Sequence, residues 1–577
     1  MRHLTTLLSM LFICPAAGAW QPPPPPPDDA IYFVLVDRFA NGDPANDSAV
    51  DPADPQAWHG GDIRGVIEHL DEIEELGVKT VWLSPVWDCR DDKFFEWGAF
   101  HGYWIEDHGK VDPRFGTEAD LRELSDALHA RGMRLILDVV FNHVAMDSPL
   151  IEQKPHWFHP VCDIEDWEDP VQVTDCRVHG LPDLNQENAD LYQHLLATSL
   201  RWIDAVQPDG FRIDAVRHMR PGFLRRLATD LHAHSGPDFQ LLGEDFQGDA
   251  LGLARSFRAT GVSSMFDFPL HYAMQDVYCA GRPVGRLAAT LSADREYDDP
   301  GALVPFLDNH DRPRLASACP DRDSVRQALT FLLTSRGIPS ITYGTESGLE
   351  GAEEPANRAD MSFEPRHPYR MLIPRLLELR RGHAALHSGA TRVLVLEGDL
   401  LVIGRIHPDE AALIAVNRGE LPARWTVPDE LYDDASMIDG NTALPWNIPV
   451  LTIPPGATEI YLLTPEEAGA YAELTAAAGG ARAIRVVVPA SPDLPAGSLR
   501  LAGGGPGLGN WDPAQAVGPL ATTDESHVLE FSAPVGDVLE FKLVAIGDDG
   551  AVEWQPGENH YLLVESGDEP VTVPLSW

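Results

Sequence analysis

Positive charge is scarce in this chain. Its 577 residues carry 43 Lys and Arg against 89 Asp and Glu, a formal net charge of −46. A protein so acidic repels nucleic acid and anionic bilayers, so neither is expected as a partner, whereas a neutral substrate is indifferent to it. The same acidity also works as a plain solvated surface. Long apolar runs are missing as well: the stretch Leu4 to Cys14 is too short to span a bilayer, and no other segment comes closer. Cysteine is limited to six residues, and no spacing among them matches a zinc site.

What is present begins with a leader. Arg2 and His3 precede the apolar stretch and Ala17-Gly18-Ala19 follows it, the order of a secretory signal cleaved after Ala19. Residues 1–19 are therefore expected to be a signal peptide and the mature protein to be secreted, extracellular or periplasmic. Residues 20–29 are a proline-rich, extended leader. Export permits disulfides. Beyond the cleavage point lie Cys89, Cys162, Cys176, Cys279 and Cys319. Cys162 and Cys176 share one irregular segment and are the expected pair, and the odd count leaves at least one thiol free or bonded between molecules.

From residue 30 to about 385, short apolar runs alternate with helical patterns. The runs are Ile31–Asp37, Lys79–Ser84, Arg134–Val140, Gly210–Asp214, Phe239–Gly243, Val262–Asp267, Leu303–Asp308 and Ile338–Thr342. Most lack polar–apolar alternation, as in a sheet buried on both faces. Eight such repeats predict a (β/α)8 TIM barrel, with a doubly wound open sheet as the structural alternative. Asn142 to Asp190 is too long for a barrel loop and predicts an inserted subdomain at about 143–190 roofing the site. Residues 386–465 read as a small β domain, 466–482 as a linker, and 483–577 as a further β-rich unit.

Three of the runs end in carboxylates: Asp214 after Gly-Phe-Arg-Ile, Glu244 after Leu-Leu-Gly, and Asp311 after Phe-Leu-Asp-Asn-His. Barrel chemistry sits at the C-terminal ends of strands, and paired carboxylates are the equipment of glycoside hydrolysis. Asp214 suits the nucleophile, because Arg212 lies two residues earlier on the same strand face and can keep it ionised. Glu244 suits the acid/base, provided burial or a neighbouring carboxylate keeps it protonated. Asp311 would stabilise the cationic transition state. Strand-end acids also serve as helix caps or surface ion pairs. His143 and His310 each follow an asparagine at a strand end and could bond sugar hydroxyls. Tyr103 and Trp104 offer ring faces for sugar stacking, or else pack a loop.

Taken together, Asp138-Val-Val-Phe-Asn-His143, Leu181-Pro-Asp-Leu-Asn185, Gly210-Phe-Arg-Ile-Asp-Ala-Val-Arg-His218, Gly243-Glu-Asp245 and Phe306-Leu-Asp-Asn-His-Asp311 resemble the motifs of the α-amylase family of glycoside hydrolases (family 13). The resemblance implies the same three roles for Asp214, Glu244 and Asp311. It implies substrate contacts at Tyr103, His143, Arg212, His310 and Arg358, with Arg217 and His218 as further candidates. Glu354 stands where members often carry Asp. It also implies a structural Ca2+ held by Asn142, Asp183 and the His218 carbonyl. Asn41, Asp43, Asn46, Asp47, Gly60 and Asp62 resemble a second calcium site of cyclodextrin-forming relatives, or form an ordinary turn.

In the terminal unit, Leu508-Gly-Asn-Trp511, Glu540-Phe-Lys542, Glu553-Trp554 and Gly557-Glu-Asn559 resemble the motifs of a β-sandwich starch-binding module of carbohydrate-binding family 20. Trp511 and Trp554 would form a flat platform for glucose rings, with Lys542 and Asn559 hydrogen-bonding hydroxyls. The resemblance implies an α-amylase acting on starch or other α-glucans, and a monomer is expected. A cyclodextrin glycosyltransferase is the first rival and a non-catalytic starch-binding protein the second. Cyclases usually carry a bulky aromatic just before Leu-x-Asp-Leu-Asn, where this chain has His179-Gly180.

Overall fold

The computed structural model describes residues 30–577, apart from 433–434, 440–441, 445–449, 466–468, 476–478, 493 and 524. The expected signal peptide and proline leader thus lie outside the described residues, and the expected linker is described in part.

Eight parallel strands form the first sheet: β1 (Ile31–Val34), β2 (Thr80–Leu83), β3 (Arg134–Val139), β4 (Gly210–Ile213), β5 (Gln240–Gly243), β6 (Ser264–Phe266), β7 (Leu303–Val304) and β8 (Ser340–Thr342). Their order is β8-β1-β2-β3-β4-β5-β6-β7, and Ser340 N–H donating to Pro305 at 2.8 Å closes the ring. This is a TIM barrel, and every strand falls within an apolar run predicted for it. The open-sheet alternative is excluded by that closure. All these strands except β5, whose first residue is half-buried, are buried along their whole length. That burial explains the missing alternation.

Helices α1 (Ile63–Glu68), α2 (Leu70–Glu75), α3 (Glu118–Ala130), α4 (Ala189–Val206), α5 (Pro221–Ser235), α6 (Ala250–Thr260), α7 (Gly285–Ser292), α8 (Arg322–Thr334) and α9 (Pro368–Gly382) surround the sheet. Local chemistry sets their ends. Thr117 and Asp120 form a reciprocal capping box at α3, whose Leu121, Leu124 and Leu128 are buried toward the sheet. Asn188 caps α4 by accepting the Asp190 and Leu191 N–H groups. No helix among the described residues is long and apolar enough to cross a membrane.

The insertion carries short helices at Leu150–Gln153 and Pro170–Asp175 and is stapled by the expected Cys162–Cys176 disulfide. It meets the barrel where His143 pairs with Asp183. A second disulfide, Cys279–Cys319, was not expected, and Cys89 is buried and free. After α9, Ala390–Glu397, Leu400–His407, Glu410–Asn417 and Ala457–Pro465 enter a six-stranded antiparallel sheet. The C-terminal region forms two four-stranded sheets around its own core, which includes Ile484, Leu501, Phe541 and Leu543. The described residues thus comprise a TIM barrel with an insertion, a small β domain and a β-sandwich.

Candidate active site

The barrel hydrogen bonds place the carboxylates. Asp214 N–H donates to Val139 at 3.0 Å and Glu244 N–H to Ile213 at 3.1 Å, so each acid follows directly from a strand end. Ala215, next to Asp214, takes a left-handed backbone at φ 51°, a cost tolerated because the packed strands on both sides determine it. Gly102 makes a comparable demand. Its φ is 86° and a Cβ there would lie 2.0 Å from the Pro85 oxygen, so only glycine permits the turn that delivers Tyr103.

Arg212 is fully buried at the centre. Its Nη1 donates to Asp214 Oδ1 at 2.8 Å and to both Asp138 oxygens at 3.0 Å, and its Nη2 contacts Glu244 Oε1. One guanidinium therefore touches three carboxylates. Burial pushes Glu244 well above the usual carboxylate range; Arg212 opposes this and Asp214 and Asp311 add to it. Asp311 behaves in the opposite way. Burial raises it, but His310 and Arg358 outweigh that and hold it below the usual value. The contacts are His310 Nε2 at 3.1 Å and Arg358 Nη2 at 2.9 Å. Burial also lowers His310 to about 4 and depresses His143, so both rings are neutral near pH 7.

The other predicted residues fall in three places. Tyr103 stacks on His310 with ring centroids 5.2 Å apart and planes 5° apart, and its carbonyl accepts from His143 Nε2 at 3.2 Å. Arg358 also bonds Glu354 at 2.6 Å, which draws both into the Asp311 group. Trp104 packs edge-on against His101 and Phe94, which is the loop-packing alternative. Arg217 reaches the carbonyls of Phe246 and Trp167, and His218 Nδ1 donates to Val173 at 3.0 Å, so both face the insertion or its neighbours. Sequence reasoning missed Asp138 as a site residue. It is 1% exposed, accepts from Trp82, Tyr103 and Arg212, and is raised by burial to about 7. Its position at the head of a quoted motif was the available signal.

For calcium, the donor atoms provide the test. Asn142 Oδ1 and Asp183 Oδ1 are buried and accept no hydrogen bond. Burial raises Asp183 to about 6 despite His159 at 2.6 Å, so this carboxylate lacks sufficient positive charge. These oxygens suit a hard cation. No group of three or more His, Cys, Asp or Glu side chains poised for a metal occurs among the described residues. Beside the Asp183 carboxylate, the site draws on the Asn142 amide oxygen and the His218 carbonyl. The second group fits less well. Asp62 is spent on the N–H groups of Gly42, Asp43 and Gly65 and the Asn46 amide, and Asp47 on Asn41, so both carboxylates already have partners. Gly60 packs against Asn41 and Asp47, as in the ordinary turn.

In the module, Trp511 and Trp554 lie 6.2 Å apart but are inclined by 46°, so they form two facets and not the flat platform expected. Lys542 Nζ donates to the Gly557 carbonyl at 2.6 Å, and Asn559 Nδ2 to Glu540 at 2.8 Å.

Comparison with known proteins adds two family matches: the alpha-amylase catalytic domain over residues 33–370 and the starch-binding domain over residues 491–573. The chain is 32% identical to a beta/alpha-amylase of Paenibacillus polymyxa, over 67% of this chain but only 33% of that protein. It is 28% identical to a cyclomaltodextrin glucanotransferase of Klebsiella oxytoca, over 92% of this chain and 91% of that protein. An Anoxybacillus alpha-amylase structure matches with TM-score 0.72 and 32% identity, covering 76% of this chain and 99% of that one.

Proposed function

The chain belongs to the α-amylase family of starch-active enzymes, and on that basis we propose that it is a secreted, retaining α-amylase that cleaves internal α-1,4-glucosidic bonds of starch, glycogen and maltodextrins. The observation that carries this reading is Arg212 in contact with both Asp214 and Glu244. Two carboxylates within the reach of one guanidinium suit the close pair of a retaining site better than the wider pair of an inverting one.

In the proposed mechanism, Asp214, paired with Arg212, attacks the anomeric carbon as the glycosidic bond breaks. Glu244, protonated by virtue of burial, gives its proton to the departing oxygen. A covalent glycosyl-enzyme results, with the nucleophile and leaving group on opposite faces of the sugar. Glu244, now ionised, takes a proton from water, which attacks the same carbon and releases Asp214. Asp311, kept below the usual carboxylate range and paired with the Arg358 guanidinium, supports the positive charge that develops in both steps. Neutral His143 and His310 and the Tyr103 ring bind the sugar at the cleavage point. Asn142, Asp183 and the His218 carbonyl would hold one calcium, which supplies a structural cross-link between barrel and insertion. Secretion is part of the proposal on the strength of the leader sequence.

A cyclodextrin glycosyltransferase is the second reading, favoured by the Klebsiella relative's match along nearly the whole chain. Against it, His179-Gly180 presents no bulky aromatic before the Leu-Pro-Asp-Leu-Asn motif, and His179 is exposed. Products from soluble starch, in the presence of calcium, separate the two. Rising reducing ends with linear malto-oligosaccharides support the hydrolase. Cyclic products with few new reducing ends make it a cyclase, and no change at all leaves a starch-binding protein.

A further inference from the structure

The module is seated directly on helix α7 of the barrel. A Cβ at Gly285 would lie 2.2 Å from Cγ of Tyr561, so helix and module ring are in close contact. Ser292 Oγ accepts the Val538 N–H at 2.8 Å, and Arg295 pairs with Asp537. At the centre of this seam is Glu540, 7% exposed. One of its oxygens accepts Asn559 Nδ2 at 2.8 Å and the Tyr561 hydroxyl at 3.0 Å; the other accepts Arg286 Nη1 at 3.1 Å. A buried carboxylate needs a cation. The ion pair that satisfies Glu540 comes from the barrel. An asparagine amide presents donors at one end and an acceptor at the other, so fixing Nδ2 on Glu540 decides which end remains for a ligand. Beside the network runs a cleft of about 290 Å³, walled by Arg286, Ala289 and Thr290 of the barrel and by Gly504, Trp511 and Glu540 of the module. That volume is at the small end of ligand sites and suits part of a chain.

We propose that the α-glucan site of the module is composite: barrel Arg286 positions Asn559 through Glu540, and the cleft between Arg286 and Trp511 receives sugar units next to those stacked on the tryptophans. The proposal rests on reading Trp511, Trp554 and Asn559 as starch contacts. A ring beside charged, hydrogen-bonding groups is the usual combination for a sugar, with an apolar face for the ring and donors and acceptors for its hydroxyls.

The test uses the full chain in a Glu244→Gln background, with granular starch adsorption at low temperature as the readout. Arg286→Met and Thr290→Trp are each expected to weaken adsorption about fivefold, and Arg286→Lys to recover part of the loss. Arg282→Met, which breaks the Arg282–Glu558 pair across the same seam but lies outside the cleft and does not touch Glu540, is expected to stay within twofold of the parent. In the active background, kcat on a soluble maltoside is expected to be unchanged by all four. The proposal is overturned if Arg286→Met and Thr290→Trp adsorb like the parent while Asn559→Ala does not. It is equally overturned if Arg282→Met loses as much as Arg286→Met, which would make Arg286 a general clamp. If Asn559→Ala and Trp554→Ala both adsorb normally, the reading of the module site itself fails.

Discussion

Replacing Arg212 with methionine removes the cation that pairs with Asp138, Asp214 and Glu244, all within a buried centre. Breaking a buried pair by deleting one partner costs about 3–5 kcal/mol, because the other charge is left without compensation. Here the cost depends on pH. Burial raises Asp138 to about 7 and lifts Glu244 well above its ordinary value, with Arg212 the largest influence pulling each back down. A carboxylate whose folded pKa exceeds its unfolded one binds its proton more tightly in the native state. Its stabilising share is complete below the unfolded value, about 4, and is lost as pH rises through the folded value. Without Arg212 both folded values climb further, and each added unit extends that loss by about 1.36 kcal/mol. The deficit of Arg212→Met relative to the parent should therefore be smallest near pH 5 and grow as pH rises past about 7, the folded value of Asp138 with Arg212 in place. Thermal unfolding of the whole chain at both pH values, at one fixed calcium concentration, measures it. A fall in Tm on the order of 3–4 °C is expected at pH 8, and clearly less at pH 5. Arg212→Lys, which keeps the charge but loses the planar fork, should lie between. A deficit equal at the two pH values, or larger at pH 5, would refute the electrostatic account of this site.

Three further outcomes follow from the same geometry. Glu244→Gln should lower kcat on soluble starch by about 10²–10⁴-fold, the usual range for losing a general acid, while granule adsorption stays at the parental level; retained turnover would remove Glu244 from the acid/base role. Chelating calcium should lower Tm, with recovery on adding calcium back, and Asp183→Ala should abolish that response; a parent indifferent to chelator would count against the calcium reading. Trp554→Ala should weaken granule adsorption by about tenfold, equivalent to about 1.4 kcal/mol, with soluble-substrate kinetics unchanged; a matching loss on soluble substrate would mean the module acts on the barrel's chemistry.

Much of the barrel was legible beforehand because its signals are local. A strand buried on both faces needs a short apolar run, and all eight runs became strands of one closed sheet. The Thr117–Asp120 capping box was readable for the same reason, since its partners are three residues apart. Arg212 and Asp214 share a strand face at a spacing of two, so their ion pair followed from the pleat. The Cys162–Cys176 pair closes only 14 residues within one irregular segment. Cys279 and Cys319 are 40 residues apart and meet only after the segment ahead of α7 and that ahead of α8 have packed together. The tilt between Trp511 and Trp554 was equally hidden, because it depends on how a strand and a loop of the sandwich are oriented.

By itself the sequence determined which residue types stand at the strand ends, where the helices start, and that the chain is an acidic, barrel-forming, starch-active protein by its motifs. Those properties depend on neighbours within a few residues, so they can be read along the chain. Tertiary structure alone decided the electrostatics. It brought Glu244 onto the guanidinium of Arg212, set Arg358 against Asp311 from 47 residues away, and laid the Glu540 carboxylate against a barrel arginine. Each of these effects depends on burial and on a charge a few ångströms away. Neither exists until barrel closure and module docking have excluded water and brought distant segments together.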